Sequence, residues 1–173
     1  MKYELKGNPN YCATITQIDN LIPLENCDNI QGTHIFGNHV IVSKDIEIGS
    51  TGVFFPVGTS IKQTFLSSNN LYRDKVLNTD KEKAGFFELN GRVRCMKLRG
   101  HKSEGFWIPI DSLNYIIDNY VVDLPETTIG LEFDHINDIM ICEKYIVKTE
   151  HTQEYQQSRK DKKNKKLKRR SKL

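Results

Sequence analysis

The sequence predicts a mainly β protein: a small barrel of five or six short strands, with a short helix between strands and a second helix packed on the outside. Three observations point there. Short apolar runs recur within about a hundred residues, and Gly, Pro or Asn clusters close nearly all of them, which is the pattern of all-β barrels. One stretch, residues 64–72, with apolar Phe65, Leu66, Leu71 and Tyr72, interrupts the run of strands and is read as a short helix. The chain has 173 residues, enough for one domain with a real core and an appendage.

Taken in order, residues 11–21 form the first strand. Ala13, Ile15 and Gln17 fall on one face and Thr14, Thr16 and Ile18 on the other, an imperfect alternation. Pro23 ends it, and residues 25–29 are a polar loop. Residues 30–36 and 39–42 make a hairpin around Gly37-Asn38. Gly49 to Gly52 lead into Val53-Phe54-Phe55, which Pro56 stops, and Gly58-Thr59-Ser60 is a further turn. Phe65, Leu66, Leu71 and Tyr72 mark the short helix, and residues 72–84 are a polar, irregular excursion. A helix at this point in a small barrel is a feature of the OB-fold, whereas Ig-like sandwiches have more strands, so an OB-fold-like barrel is expected.

Residues 85–113 organise the rest. Asn90-Gly91 is a hairpin signal, because both residues tolerate positive φ. The strand that follows carries Arg92, Arg94, Lys97 and Arg99. Strict alternation would split these cations between two faces; a β-bulge near Cys95-Met96 would bring all four onto one. Val93, Cys95 or Met96, Leu98 and Trp107 then face the core, with Lys102 and Ser103 at the rim. Four like charges on one strand face repel one another, which favours a phosphate-binding surface over a merely solvated one. Arg92, Arg94, Lys97, Arg99, Lys102 and Ser103 are therefore the candidate nucleic-acid-binding residues.

Gly105 opens the strand at 106–110. Ser112 caps a helix running to about Tyr120, with Leu113, Ile116, Ile117 and Tyr120 on one stripe. Pro125 and Gly130 mark an irregular link, and residues 139–142 read as a last strand. Three segments follow: the barrel at 1–112, a helical and strand extension at 113–147, and a basic linker or tail at 148–173, expected to be disordered in isolation.

The net charge of +3 is uneven: residues 158–173 hold ten Lys or Arg against one acid, Asp161, so the tail contributes +9 and the body −6. A globally basic fold is excluded, and nucleic-acid affinity in the body must come from a local patch. The run from Lys162 to Arg170 is a solvated linker, a nuclear-import signal or a nucleic-acid arm. No apolar run reaches the roughly 18 residues of a membrane span, and the first residues lack the apolar core of a secretory leader. Cys12, Cys27, Cys95 and Cys142 are far apart and form no C-x-x-C pair, so an intracellular protein with reduced cysteines and no zinc site is expected.

Lys102-Ser103-Glu104-Gly105 fits the K-x-[DEH]-G pattern around the lysine that nucleotidyltransferases adenylate. That chemistry needs a lysine of depressed pKa and further carboxylate and lysine motifs for metal and triphosphate. Only 68 residues follow Gly105, and they contain none of these, so no catalytic residue is assigned.

Several stretches nevertheless match one family. These are Ala13-Thr14-Ile15 with Asp28-Asn29-Ile30, Phe54-Phe55-Pro56-Val57-Gly58-Thr59, and Asn69-Asn70-Leu71-Tyr72-Arg73. Gly91-Arg92-Val93-Arg94, Leu98-Arg99-Gly100 and Ser103-Glu104-Gly105-Phe106 follow, then Gly130-Leu131-Glu132-Phe133-Asp134 and Ile141-Cys142-Glu143-Lys144-Tyr145. In this order and spacing the chain resembles the N-terminal OB-fold module of ATP-dependent, nick-sealing RNA ligases of bacteria, phages and large DNA viruses. The family's adenylated lysine lies beyond this segment. The resemblance therefore implies a module that engages RNA or an RNA-containing duplex and assists a nucleotidyltransferase domain, in cis or in trans. That domain would use ATP and Mg²⁺; no cofactor is implied for this chain. A stand-alone nucleic-acid-binding or protein-docking OB-fold is the alternative.

Overall fold

The computed structural model describes residues 2–116, 128–147 and 150–171. Its strands are β1 (Tyr3–Glu4), β2 (Ala13–Gln17), β3 (Ile30–Ile35), β4 (Asn38–Ser43), β5 (Thr51–Phe55), β6 (Thr59–Ile61) and β7 (Cys95–Leu98). They continue as β8 (His101–Glu104), β9 (Phe106–Pro109), β10 (Glu132–Phe133), β11 (His135–Ile136), β12 (Ile139–Met140) and β13 (Cys142–Lys144). Helix α1 (Gln63–Ser68) follows β6, and helix α2 (Glu150–Ser171) follows β13. The protein is mainly β.

The central sheet runs β10-β2-β5-β9, with antiparallel pairing throughout. Ala13, Ile15, Val53 and Phe55 project from one face into the main core, where Phe65 and Leu66 of α1 and Phe133, Ile136 and Ile141 meet them. Phe54 and Trp107, directly opposite in the ladder, project from the other face and pack with Ile18, Ile35, Val40 and Val42. Because both faces of the sheet are covered, β2 has no solvent side, and this is why its alternation is imperfect. Thr14 and Thr16 are buried on the second face, where the Thr16 hydroxyl accepts the Trp107 indole N–H at 3.0 Å. Gly52 lets the indole lie flat there: a Cβ at that position would stand 2.3 Å from the ring.

Several expectations change. The hairpin of β3 and β4 turns on Phe36-Gly37, with φ of 51° and 78°, and not on Gly37-Asn38, because Asn38 pairs with Ile35. Thr59 and Ser60, read as a turn, begin β6, which pairs with β13. Among the described residues the ladders do not join into one closed sheet, so the expected barrel is not closed. The outer ladders are only two to four residues long, too short to carry one continuous hydrogen-bonded wall around the core.

The predicted helix at Ser112 begins instead as a 3-10 turn, Ile110–Leu113, with Ser112 and Leu113 buried. Ile116 packs against the core; Ile117, Tyr120 and Pro125 lie outside the described residues. Helix α2 covers most of the segment read as a tail. Residues 150–171 contain no Pro or Gly and are rich in Lys, Arg, Gln and Glu, all good helix formers. The side chains of residues 159–169 are exposed, so no apolar stripe seats this part of the helix on the body. Among the described residues no helix is long and apolar enough to cross a membrane.

Two polar anchors hold the irregular parts. The excursion at 72–84 is built on the buried Asn78, whose Oδ1 accepts the Tyr72 N–H at 3.0 Å. Its amide donates to the Tyr72 and Lys83 carbonyls at 3.0 and 2.7 Å. Asp134, also buried, accepts the backbone N–H groups of Lys6 and Gly7 at 2.9 and 2.7 Å and pairs with His135 at 2.7 Å, tying the N-terminal segment to the sheet.

Candidate nucleic-acid interface

The cationic stretch is built by a strand that changes partner. Glu88 to Gly91 form a tight turn, closed by the Gly91 N–H on the Glu88 carbonyl at 3.0 Å, with Gly91 at φ 65°. The chain does not fold back as the predicted hairpin. It crosses to β6, where the Ile61 N–H donates to Gly91 O and the Val93 N–H to Thr59 O, at 2.9 and 2.8 Å. Ser60 and Arg92 form the bridge between them. A Cβ on residue 91 would sit 2.2 Å from the Ile61 carbonyl, so this crossing requires glycine. After Val93 the chain leaves β6, and from Cys95 it pairs with β8. In place of the expected bulge at Cys95-Met96, β7 pairs with β8 residue for residue, Cys95 opposite Glu104 and Met96 opposite Ser103.

The hairpin of β7 and β8 is held by two bonds to β4 and one to the loop at Glu25. Ser103 Oγ accepts the Ile41 N–H at 3.0 Å. His39 Nδ1 and His101 Nε2 lie 2.6 and 3.2 Å from the carbonyls of Lys102 and Glu25. A carbonyl only accepts, so each of these ring nitrogens carries its proton.

Arg92, Arg94, Lys97 and Arg99 are all exposed, and Val93 is buried. Arg92 lies over the Tyr145 ring at 4.9 Å. Among the described residues Arg94, Lys97 and Arg99 form no ion pair. Arg99 is not on the strand but in the turn. With Gly100 it forms the two left-handed positions of a type I′ hairpin, at φ 49° and 83°. Two placements need correction. Leu98 is 37% exposed rather than in the core, because β7 is at the margin of the fold. Ser103 is buried rather than at the rim, its hydroxyl committed to β4.

Lys102 faces Lys97 across the ladder and pairs with Glu104 at 2.6 Å. Hydrogen bonding and charge attraction from Glu104 raise the Lys102 pKa above its ordinary value. A lysine that attacks an α-phosphate needs the opposite shift.

Arg92, Arg94 and Lys97 converge on a cleft of about 270 Å³. Val93, Phe86, Phe87 and Phe106 are part of its largely apolar lining. Arg73 joins the cationic side, held to Glu88 at 2.8 Å. Arg73 and Phe86 were not singled out from the sequence. Arg73 arrives because its backbone N–H bonds Phe87 O at 2.9 Å, a contact no local pattern announces. Phe86 arrives because the chain bends there, which brings its ring onto the same side as Phe87, stacked at 4.8 Å. Among the described residues no group of His, Cys, Asp or Glu is placed to hold a metal.

No protein-family model matches the chain, and no curated protein matches it. Among solved structures it is similar to variants of an RNA ligase from Naegleria gruberi. One, with ATP and Mn, is 25% identical over 64% of this chain and 31% of that chain, at a TM-score of 0.44. Another, with AMP and Mn, is 24% identical over the same shares, at 0.42. A third, with ATP and Mn, is 22% identical over 72% of this chain and 36% of that one, also at 0.42. The chain thus spans about a third of the length of these ligases. Scores at this level leave the functional reading to the chain's own residues.

Proposed function

We propose that this chain is a nucleic-acid-binding module of an RNA ligase, of OB type with its wall left open. It holds RNA or an RNA-containing duplex while a separate nucleotidyltransferase domain, using ATP and a divalent metal, seals the end or nick. Arg92, Arg94, Lys97 and Arg99 contact phosphates, and Lys102, already paired with Glu104, adds a weaker contribution. One observation carries the reading: three cations that among the described residues have no carboxylate partner, Arg92, Arg94 and Lys97, line one cleft of a body whose overall charge is negative. Arginine suits the role because its planar fork binds phosphate bidentately. The ordered series of ligase-like stretches in the sequence supplies the biological setting.

The test is binding to nicked duplexes with RNA on the 3′-OH side at two salt concentrations. Replacing Arg94 by Ala should weaken binding and flatten the salt dependence by about 0.9 in log–log slope, the value of one duplex phosphate contact. Identical binding and slope for the native and Arg94→Ala proteins would remove the cleft from the reading. The chain alone should form no covalent adenylate with ATP and Mg²⁺; labelling that Lys102→Ala abolishes would reverse that part.

A further inference from the structure

We infer that the cleft beside β7 receives one unstacked base of a single-stranded or frayed nucleic-acid end, seated on the ring of Phe86. The inference rests on the proposed nucleic-acid role and specifies what enters. Phe86 is 40% exposed although it belongs to an aromatic group. One side of its ring is stacked on Phe87, with centroids 4.8 Å apart and planes at 26°, and Phe106 meets it edge-on at 5.7 Å. Those two contacts restrain the ring, and Phe86 lines the cleft while remaining partly exposed, a π surface of the kind on which single-strand-binding proteins stack bases.

The surroundings combine an apolar wall with cations, which suits a base and its phosphates. Arg92, Arg94 and Lys97 line the cleft beside the ring, where a strand entering base-first would carry its phosphates. Among the described lining residues Glu88 is the only acid, and Arg73 holds it at 2.8 Å. At about 270 Å³ the cleft is just below the roughly 300–1,000 Å³ of small-molecule sites. It has room for one base with its sugar, not for a stacked base pair. A continuous duplex keeps its bases stacked inside and offers none to Phe86, so the cleft discriminates by strand state.

The experiment uses the full chain and a short oligonucleotide carrying 2-aminopurine, as a single strand and as a blunt duplex, in ribose and deoxyribose forms. Binding of the single strand should quench the 2-aminopurine through stacking. Phe86→Leu, which keeps the apolar contacts to Phe87 and Phe106 but has no ring, should abolish the quenching and weaken single-strand affinity about tenfold. Duplex affinity should stay unchanged, and Phe86→Tyr should retain both signals. Melting curves confirm that the variants fold, and the basic helix, common to all, cancels in the comparison. Unchanged quenching and affinity in Phe86→Leu would overturn the inference while leaving the Arg94 test of nucleic-acid binding standing. Equal competition by free adenosine monophosphate would overturn a strand as the occupant. Absence of any nucleic-acid binding would overturn both readings.

Discussion

Arg99→Asn should make the protein more stable and a weaker binder of nucleic acid. Arg99 has φ 49° in the hairpin turn between β7 and β8. A left-handed conformation costs an ordinary L-residue about 1–2 kcal/mol, and Asn, whose short side chain bonds locally, escapes part of this. The Arg99 side chain is exposed and, among the described residues, forms no ion pair, so nothing is lost with it. A net gain of about 0.5–1 kcal/mol is expected, which for a chain of this length raises Tm by about 1–4 °C. If Arg99 contacts a phosphate, the log–log salt slope falls by about 0.9 on duplex, or 0.7 on a single strand. Between 50 and 200 mM salt one such contact is worth about a threefold difference in how affinity declines. The assay is a thermal melt paired with fluorescence anisotropy at several salt concentrations, on the full chain. Helix α2 adds its own slope to every variant and drops out of the difference. A lower Tm with an unchanged slope would refute the reasoning, since it would mean that the arginine serves the fold.

Arg94→Ala should shift the slope similarly but change stability by no more than about 0.5 kcal/mol, because Arg94 is exposed and its removal relieves no strain; the same melts read it. Trp107→Phe should cost about 1–3 kcal/mol in urea unfolding, from the lost bond to the buried Thr16 hydroxyl and the indole's lost packing. For Asp134, burial pushes the carboxyl pKa up, but the hydrogen bonds from Lys6, His135 and Gly7 more than offset this and hold it below 3.8. Its contribution is therefore complete above the unfolded carboxylate pKa and lost as pH falls through the folded one. Asp134→Asn should unfold more easily at pH 7 and show a shallower acid loss than the native protein, measured by urea titrations at neutral and acid pH. Burial raises the Cys142 and Cys12 thiols to about 12 and about 11, and Cys27 is buried, so one thiol should react quickly with a colorimetric disulfide reagent, and Cys95→Ser should abolish that phase.

By itself, the sequence determined the parts that depend on near neighbours. Val53-Phe54-Phe55 and Phe106-Trp107-Ile108 read as strands and are strands, because apolar runs bounded by Gly and Pro have few other ways to satisfy backbone and core together. The short helix of Phe65 and Leu66 and the charge split between body and tail were equally legible. Asn90-Gly91 was read correctly as a turn but not as a hairpin, since a turn reverses a chain without naming the strand it then joins. Only the tertiary structure decided that residues 91–93 pair with β6 and residues 95–98 with β8, about thirty-two residues away in one case and a handful in the other. That exchange, together with Arg73 and Phe86 arriving through the pairing of residues 71–73 with 85–87, makes the cleft. The physical reason is that side-chain periodicity is a local property of the backbone, whereas the choice of hydrogen-bonding partner is settled by competition among distant segments for the same core.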